Sequence, residues 1–181
     1  METQPRFIGL DIHRHFAVAT AVDKYQQLIF DAIRIPLDTF AHWAQTHLYA
    51  TDCVALETTS NAWAVYDMVQ PLVAEATVAD VRKIKLISQS PRKTDRHDAL
   101  VLAKLLAANL LPAVWVPTQE VRELRSLISH RRHLIRDRTA TRNRLHSILH
   151  RHNLHLPTGD PFCQANLAWW HLVAGAADFE R

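Results

Sequence analysis

Four carboxylates stand at positions where acids are costly or clustered. Asp11 and Glu57 each lie at or near the end of a short apolar run, RFIGLDI and CVALE. A carboxylate buried with such a run and left unpaired is costly, so it requires a cation or hydrogen-bond donors. Asp95 and Asp98 lie three residues apart at the start of DRHDALVLAKLLAAN, and a helix would place both side chains on one face.

Together the four acids predict a divalent-metal site. Oxygen-rich sites suit Mg²⁺ or Mn²⁺. Two such ions, about 4 Å apart, activate the attacking oxygen and stabilise the leaving oxygen of a phosphoryl transfer. We therefore predict a site that cuts or joins nucleic-acid phosphodiesters. The alternative is that each acid caps a turn or helix, and for Asp95 and Asp98 taken alone that is the stronger interpretation. His13 and His15 could act as acid or base, but surface histidines are the commoner case.

The elements that position these acids alternate between strand and helix patterns. Three short β-rich runs with tight connections predict an antiparallel meander. A strand–helix–strand run after them predicts a parallel crossover, so the whole is an α/β domain with a mixed sheet. The predicted strands are 6–12, 16–22, 27–35, 53–57 and 76–81, and the predicted helices are 36–48, 61–73 and 95–109.

A long helical pattern follows, from an N-cap at Thr118 to about His152. Apolar pairs recur in it at seven-residue spacing, as in 127–128 and 134–135, which is typical of a helix packed on a partner helix. Residues 119–152 also hold nine arginines and three acids, a net charge of +6. Exposed helices usually mix charge signs, so this one-sided face predicts contact with nucleic-acid phosphates.

Basic residues near the acids and along the long helix are the predicted nucleic-acid contacts. A solvated charged surface is the alternative for any one of them. The set comprises Lys83, Lys85, Arg92, Lys93, Arg96, Arg125, Arg131, Arg132, Arg136, Arg138, Arg142, Arg144 and Arg151.

Bulk properties fit a globular protein in a reduced, cytoplasmic setting. Hydrophobic residues make up 48% of the 181-residue chain, an ordinary globular value. The two cysteines, Cys53 and Cys163, are far apart and form neither a disulfide framework nor a zinc motif. The N-terminus lacks the pattern of a signal peptide, and no apolar run reaches the roughly 18 residues of a membrane span.

Three motifs in order, GLDIHR from Gly9, ETT from Glu57 and KTDRHDA from Lys93, resemble those of the DEDD transposases. These are the IS-one-ten insertion-sequence recombinases and their pilin-gene-inverting relatives. The resemblance implies a ribonuclease H-like (RuvC-like) fold over residues 1–112, with Asp11, Glu57, Asp95 and Asp98 as the catalytic, Mg²⁺- or Mn²⁺-binding tetrad. It also implies a coiled-coil helix over 113–155 that assembles a homodimer or homotetramer, nucleoid association, DNA as substrate and a structured bridge RNA as guide.

Two departures from that family matter. Family members are substantially longer and carry a C-terminal domain with a serine that links covalently to DNA. We therefore expect residues 156–181, with a short helix and the Trp169–Trp170 pair, to begin a truncated C-terminal region. Ser126, Ser129 and Ser147 lie on the long helix and are not that nucleophile. Arg14 stands where many relatives have lysine, which preserves the charge.

Two other functions are consistent with parts of the sequence. An ATP-using enzyme of the actin and sugar-kinase type needs glycine-rich turns around phosphates. The chain has three glycines, and only Gly9 lies in the α/β domain. A non-catalytic RNA- or DNA-binding and oligomerisation module, with structural acids, fits the basic helix and remains the main alternative.

Overall fold

The computed structural model describes residues 4–87 and 94–176. The chain forms two compact units, residues 1–116 and residues 117–181, and each is considered by itself. Among the described residues, no helix combines the length and apolar character needed to cross a membrane.

A five-stranded mixed sheet forms the centre of the first unit. Its strands, β1 to β5, are Phe7–Ile12, Phe16–Val22, Leu28–Pro36, Cys53–Glu57 and Glu75–Ala79, in the order β3-β2-β1-β4-β5. β1 pairs antiparallel with β2 and parallel with β4, while β2–β3 is antiparallel and β4–β5 is parallel. The mixed sheet and its flanking helices confirm the expected ribonuclease H-like α/β fold.

In the part of the first unit that the structure describes, four α-helices accompany the sheet: α1 (Phe40–His47), α2 (Ala62–Val69), α3 (Val81–Ile87) and α4 (Asp95–Ala107). The predicted helices at 36–48, 61–73 and 95–109 are confirmed with shorter bounds. The short helix α3 was missed, because its basic residues were interpreted only as a charged surface. The predicted fifth strand, at 76–81, also ran too far, since Val81 begins α3.

The two faces of the sheet bury different kinds of side chain. On one face Ile8, Leu10 and Leu56 are fully buried and form the main core, together with Phe40 of α1 and Val65 of α2. On the other face small residues predominate, and Ala55, Ala79, Leu102 and Ile84 form a second cluster. Because side chains alternate along a strand, residues 9, 11, 55 and 57 belong to this second face.

Gly9 allows α4 to lie directly against β1. A Cβ at this position would stand 2.0 Å from the carbonyl oxygen of Ala99 and 2.7 Å from the amide nitrogen of Ala103. Ala99 and Ala103 are themselves fully buried, so small residues on both partners permit the close approach. The first turn of α4 is thereby carried toward the end of β1.

The second unit is dominated by α5 (Gln119–Arg151), a single helix of 33 residues. The hydroxyl oxygen of Thr118 accepts a hydrogen bond from the Val121 amide at 3.5 Å, which confirms the predicted N-cap. A shorter helix, α6 (Leu167–Ala176), follows. Its Trp170 is half-buried, donates a hydrogen bond to the Pro161 carbonyl at 2.7 Å and stacks on Phe162, so the tryptophan pair is better packed than the sequence suggested.

Candidate metal centre

Strand register places Asp11 and Glu57 at one edge of the sheet. Leu10 of β1 lies opposite Leu56 of β4, so Asp11 and Glu57 follow in step on neighbouring parallel strands. Both belong to the face that α4 covers. Asp11 is only 6% exposed and Glu57 is half-buried.

The first turn of α4 supplies the second pair of acids. The hydroxyl oxygen of Thr94 accepts a hydrogen bond from the His97 amide at 3.2 Å and so fixes where the helix begins. Asp95 is exposed and Asp98 is half-buried. Because α4 approaches β1 closely at Gly9, this turn lies beside Asp11.

His13 joins the acids of the two elements. Its Nε2 atom lies 3.1 Å from an Asp11 carboxylate oxygen and 3.3 Å from an Asp95 carboxylate oxygen. Within residues 4–87 and 94–176, these three side chains are the group whose possible ligand atoms all lie within 4.8 Å of one another. From sequence, His13 is predicted only as a possible acid or base, although its position two residues after a strand-end acid is a usable signal.

Several contacts hold the turn that carries His13. The His13 amide donates to the Phe16 carbonyl at 2.8 Å, and the Asn61 side-chain amide donates to the His13 carbonyl at 3.1 Å. The His13 ring stacks on Phe16, with ring centroids 4.4 Å apart. The imidazole is therefore directed at the acids by its own turn and by the start of α2.

The positive charge available near Asp11 does not compensate for its burial and for the negative charges of the neighbouring acids. Burial raises the pKa of Asp11 above its ordinary value; the positive charge available from His13 opposes this rise, and the nearby charges of Asp98 and Asp95 add to it. Asp98 is thus close enough to act on Asp11, although it lies outside the group of three. Glu57 makes its own contact in the protein and also lies outside that group.

The donor set suits a divalent cation. Two carboxylates and an imidazole converge, and the most buried of the three groups carries like charges beside it. A bound cation would relieve that repulsion and would accept both oxygen and nitrogen ligands. Asp11 and Asp95 are the residues best placed to hold it, with Asp98 and Glu57 at the margins.

Comparison with known proteins gives the chain its family. The sequence pattern of the IS110 (IS-one-ten) DEDD transposase family, described as "Transposase", matches residues 8–154. The chain belongs to this family. It is also 27% identical over 109 residues to "Putative transposase y4qE" of Sinorhizobium fredii (strain NBRC 101917 / NGR234), a match that covers 60% of the chain and 28% of that protein. The matched region thus spans little more than a quarter of the length of this relative.

Near the candidate metal centre, one of the predicted nucleic-acid contacts of this transposase-family chain forms an ion pair within the protein. Arg96 follows Asp95 in α4 and forms an ion pair with Asp31 of β3. Ala32, at a φ of 50°, donates its amide to the Thr20 hydroxyl at 3.1 Å, in a part of β3 where the register with β2 shifts. Lys83 on α3 is exposed. The side chain of Lys85, and Arg92 and Lys93 entirely, lie outside the described residues.

The arginines of α5 form an exposed basic surface of the second unit. Arg122 and Arg142 are half-buried, and Arg142 lies 3.6 Å from Asp160 and stacks its guanidinium 4.7 Å from the Phe162 ring centre. The basic face, as named here, is the remaining exposed set of predicted contacts: Arg125, Arg131, Arg132, Arg136, Arg138, Arg144 and Arg151.

Proposed function

We propose that this chain is the metal-binding catalytic part of an insertion-sequence transposase that acts in DNA strand cleavage and exchange. The observation that carries the proposal is the meeting of Asp11 and Asp95, from β1 and α4, in a chain that belongs to a transposase family. Asp11, Glu57, Asp95 and Asp98 form the proposed catalytic and metal-binding tetrad, and Mg²⁺ or Mn²⁺ is the proposed cofactor.

The chemistry divides between the ion and the protein. A bound divalent ion would supply Lewis acidity at a phosphodiester and a nucleophile of lowered pKa. The protein supplies fixed geometry, because Asp11 projects from a buried strand and Asp95 from a capped helix turn. Partial burial at the edge of the sheet also reduces competition from water for the charged groups.

Metal binding tests the site directly. Thermal unfolding of the chain is followed while Mn²⁺ or Mg²⁺ is titrated, and a rise in midpoint is expected because the ion binds the folded state. Asp11→Asn and Asp95→Asn should abolish the rise. Asp38→Asn, which removes an exposed acid outside the site, is the matched control and should retain it. If the midpoint never responds, or if both site variants respond like the control, the proposal is wrong.

We further propose that the basic face of α5 binds DNA and a structured guide RNA. Its seven exposed arginines give a single helix a strong excess of positive charge. Affinity should fall steeply with salt, and each arginine that contacts a phosphate should contribute about 1 to the slope of log K against log salt. Replacing Arg131, Arg136 and Arg138 by glutamine should lower the slope by about 3, whereas Arg142→Gln, which removes a charge already engaged with Asp160, should change it little.

The apolar stripe of α5 supports assembly of the transposase into a homodimer or homotetramer. Leu124, Leu127 and Leu134 are 57%, 68% and 56% exposed in the single chain. A stripe at heptad spacing buries such residues against a second helix. The segment 113–155 is the proposed coiled coil and 156–181 the start of a further region. Leu127→Glu with Leu134→Glu should shift the mass measured by light scattering toward the monomer.

A non-catalytic nucleic-acid-binding and oligomerisation module is the second candidate, favoured by the same basic face and apolar stripe. It predicts salt-dependent binding and self-association without any response to Mn²⁺.

We also propose that the protein acts in the bacterial cytoplasm in association with the nucleoid, where its DNA substrate lies.

A further inference from the structure

We propose that His13 supplies a nitrogen ligand to the metal ion held by Asp11 and Asp95, and that it gives the site a preference for Mn²⁺ over Mg²⁺. The inference rests on the proposed metal-binding function and names a ligand outside the acidic tetrad. It depends on three features of the described structure: the spacing of the ligand atoms, the fixed position of the ring and the chemistry of imidazole.

The spacing is that of ligands around one small cation. Two ligand atoms bound at about 2.1 Å, at right angles in an octahedral shell, lie about 3 Å apart. The Nε2 atom of His13 lies 3.1 Å from an Asp11 oxygen and 3.3 Å from an Asp95 oxygen. The same nitrogen makes both contacts, so it is directed at the space between the two carboxylates.

The imidazole is held at that place before any ion arrives. Its ring lies on Phe16, and Phe16 in turn receives the guanidinium of Arg34 at 3.7 Å from its ring centre. The backbone on either side is fixed by the Phe16 carbonyl and by Asn61. A ligand that is already oriented loses little conformational entropy on binding, which favours its use.

Nitrogen changes which ion the site prefers. Carboxylates and water suit both Mg²⁺ and Mn²⁺, whereas imidazole is typical of transition-metal sites, and of these two ions only Mn²⁺ is a transition-metal ion. A site whose ligands were all oxygens would discriminate only weakly between Mn²⁺ and Mg²⁺. With His13 in the ligand set, loss of the imidazole should weaken Mn²⁺ binding far more than Mg²⁺ binding.

The opposing explanation is that His13 is a positive counter-ion that only neutralises the two acids. The two explanations predict opposite results. Removal of a ligand weakens Mn²⁺ binding, whereas removal of a counter-ion exposes the carboxylates and strengthens the binding of either cation.

The test compares His13→Gln with the wild-type chain by calorimetric titration of Mn²⁺ and of Mg²⁺. Loss of the imidazole should raise the Kd for Mn²⁺ at least about tenfold, the lower end of the effect seen when groups that support a metal ligand are removed. The Kd for Mg²⁺ should change less than about threefold. His15→Gln, the same substitution at an exposed histidine two residues further on, is the control and should leave both constants unchanged.

Pulsed electron paramagnetic resonance gives a second readout. Mn²⁺ bound to the wild-type chain should show coupling to a ¹⁴N nucleus, and His13→Gln should abolish that coupling. His13→Asp, which replaces nitrogen by oxygen at the same position, should restore affinity with the preference moved toward Mg²⁺. Absence of ¹⁴N coupling in the wild type, or equal or tighter Mn²⁺ binding by His13→Gln, would overturn the inference.

Asp11→Asn separates this inference from the proposed function. If Asp11→Asn abolishes binding of both ions while His13→Gln leaves the ion preference unchanged, the acidic site stands and the role of His13 is wrong. If Asp11→Asn leaves both ions bound, the proposed site itself is wrong, and the inference falls with it.

Discussion

Two buried aspartates at opposite ends of the same sheet have very different surroundings. Asp52, just before β4, is fully buried and accepts hydrogen bonds from Arg6 Nε at 2.8 Å, Arg6 Nη2 at 2.5 Å and the Tyr49 amide at 2.8 Å. Asp11, near the end of β1, is almost as buried, but it meets one half-exposed histidine and lies among other acids.

The difference separates a structural charge from a binding charge. Asp52 has its negative charge matched by a permanent cation and by backbone donors, so its carboxylate holds together the segments that precede β1 and β4. Asp11 has a surplus of negative charge around it, so the folded protein tolerates the site rather than gaining stability from it. A buried acid alone is therefore an ambiguous signal, and its partners decide its role.

Asp52→Ala should have the largest effect on stability. It leaves Arg6 without its partner in a largely buried position, and breaking such a pair should lower the free energy of unfolding by about 4 kcal/mol. Urea denaturation measures this loss. Folded protein that remains at low temperature should still bind Mn²⁺ normally, because the pair lies at the other end of the sheet. A lost metal response in a folded variant would contradict the proposed separation of roles.

Gly9→Ala should damage both stability and the metal centre. The added Cβ would collide with the Ala99 carbonyl oxygen. This oxygen belongs to the backbone of α4, so it cannot avoid the clash by a change of rotamer. We expect a loss of about 2–3 kcal/mol from forced overpacking, together with a metal affinity lowered because α4 carries Asp95 away from β1. Gly175→Ala is the control, since nothing lies within 4 Å of the added Cβ. Retention of full metal affinity by Gly9→Ala would show that α4 can shift without moving the acids.

Asp11→Asn should raise the stability of the chain in metal-free buffer, whereas Asp52→Ala and Gly9→Ala should lower it. The folded state raises the pKa of Asp11, so its contribution to stability is present at low pH and is lost as pH rises through the folded-state pKa. Asparagine does not ionise, so the variant does not lose this stability as the pH rises. At pH 7, with a chelator present, its melting temperature should be a few degrees above that of the wild type. The gap should shrink toward pH 4. An Asp11→Asn chain that is less stable than wild type at pH 7 would mean that the carboxylate has a structural role like that of Asp52.

Arg96→Gln should show the smallest effect on stability. The side chain is 67% exposed, so its ion pair with Asp31 should contribute less than about 1 kcal/mol. Because Arg96 directly follows Asp95, we expect a modest loss of Mn²⁺ affinity, with Asp31→Asn giving the same loss. Calorimetric titration of the two single variants and the double variant measures the coupling. Independent effects would mean that the pair does not position α4.

Much of the architecture was predictable from sequence because its signals are local. Strand β4 and the Thr118 cap match their predicted positions, since a short apolar run and a threonine before acidic residues are signals contained in a few residues. The short helix α3 was missed, because its cations suggested a surface and its seven residues are too few for a clear helical period.

The candidate metal centre was predictable only in part. Asp11 and Asp95 were identified by their types and by the motif that contains Asp95, and the structure brings them together. The place of His13 in the site was not predictable, because a sequence does not reveal which side of a turn an imidazole faces. Its direction depends on Phe16 and on Asn61, and Asn61 lies on a distant part of the chain. The ion pair of Arg96 was likewise not predictable, since Asp31 lies on β3, far from Arg96 in the sequence.

The close approach at Gly9 has a consequence for the order of events during synthesis. β1 leaves the ribosome early, but the helix that completes the centre follows only after all five strands have been made. Until α4 settles on β1, Asp11 and Asp95 remain on separate segments, and pairing of such distant segments is a slow part of folding. A nascent chain therefore keeps Asp11 and Asp95 apart until α4 has been synthesised, and the candidate site can form only when α4 packs on β1.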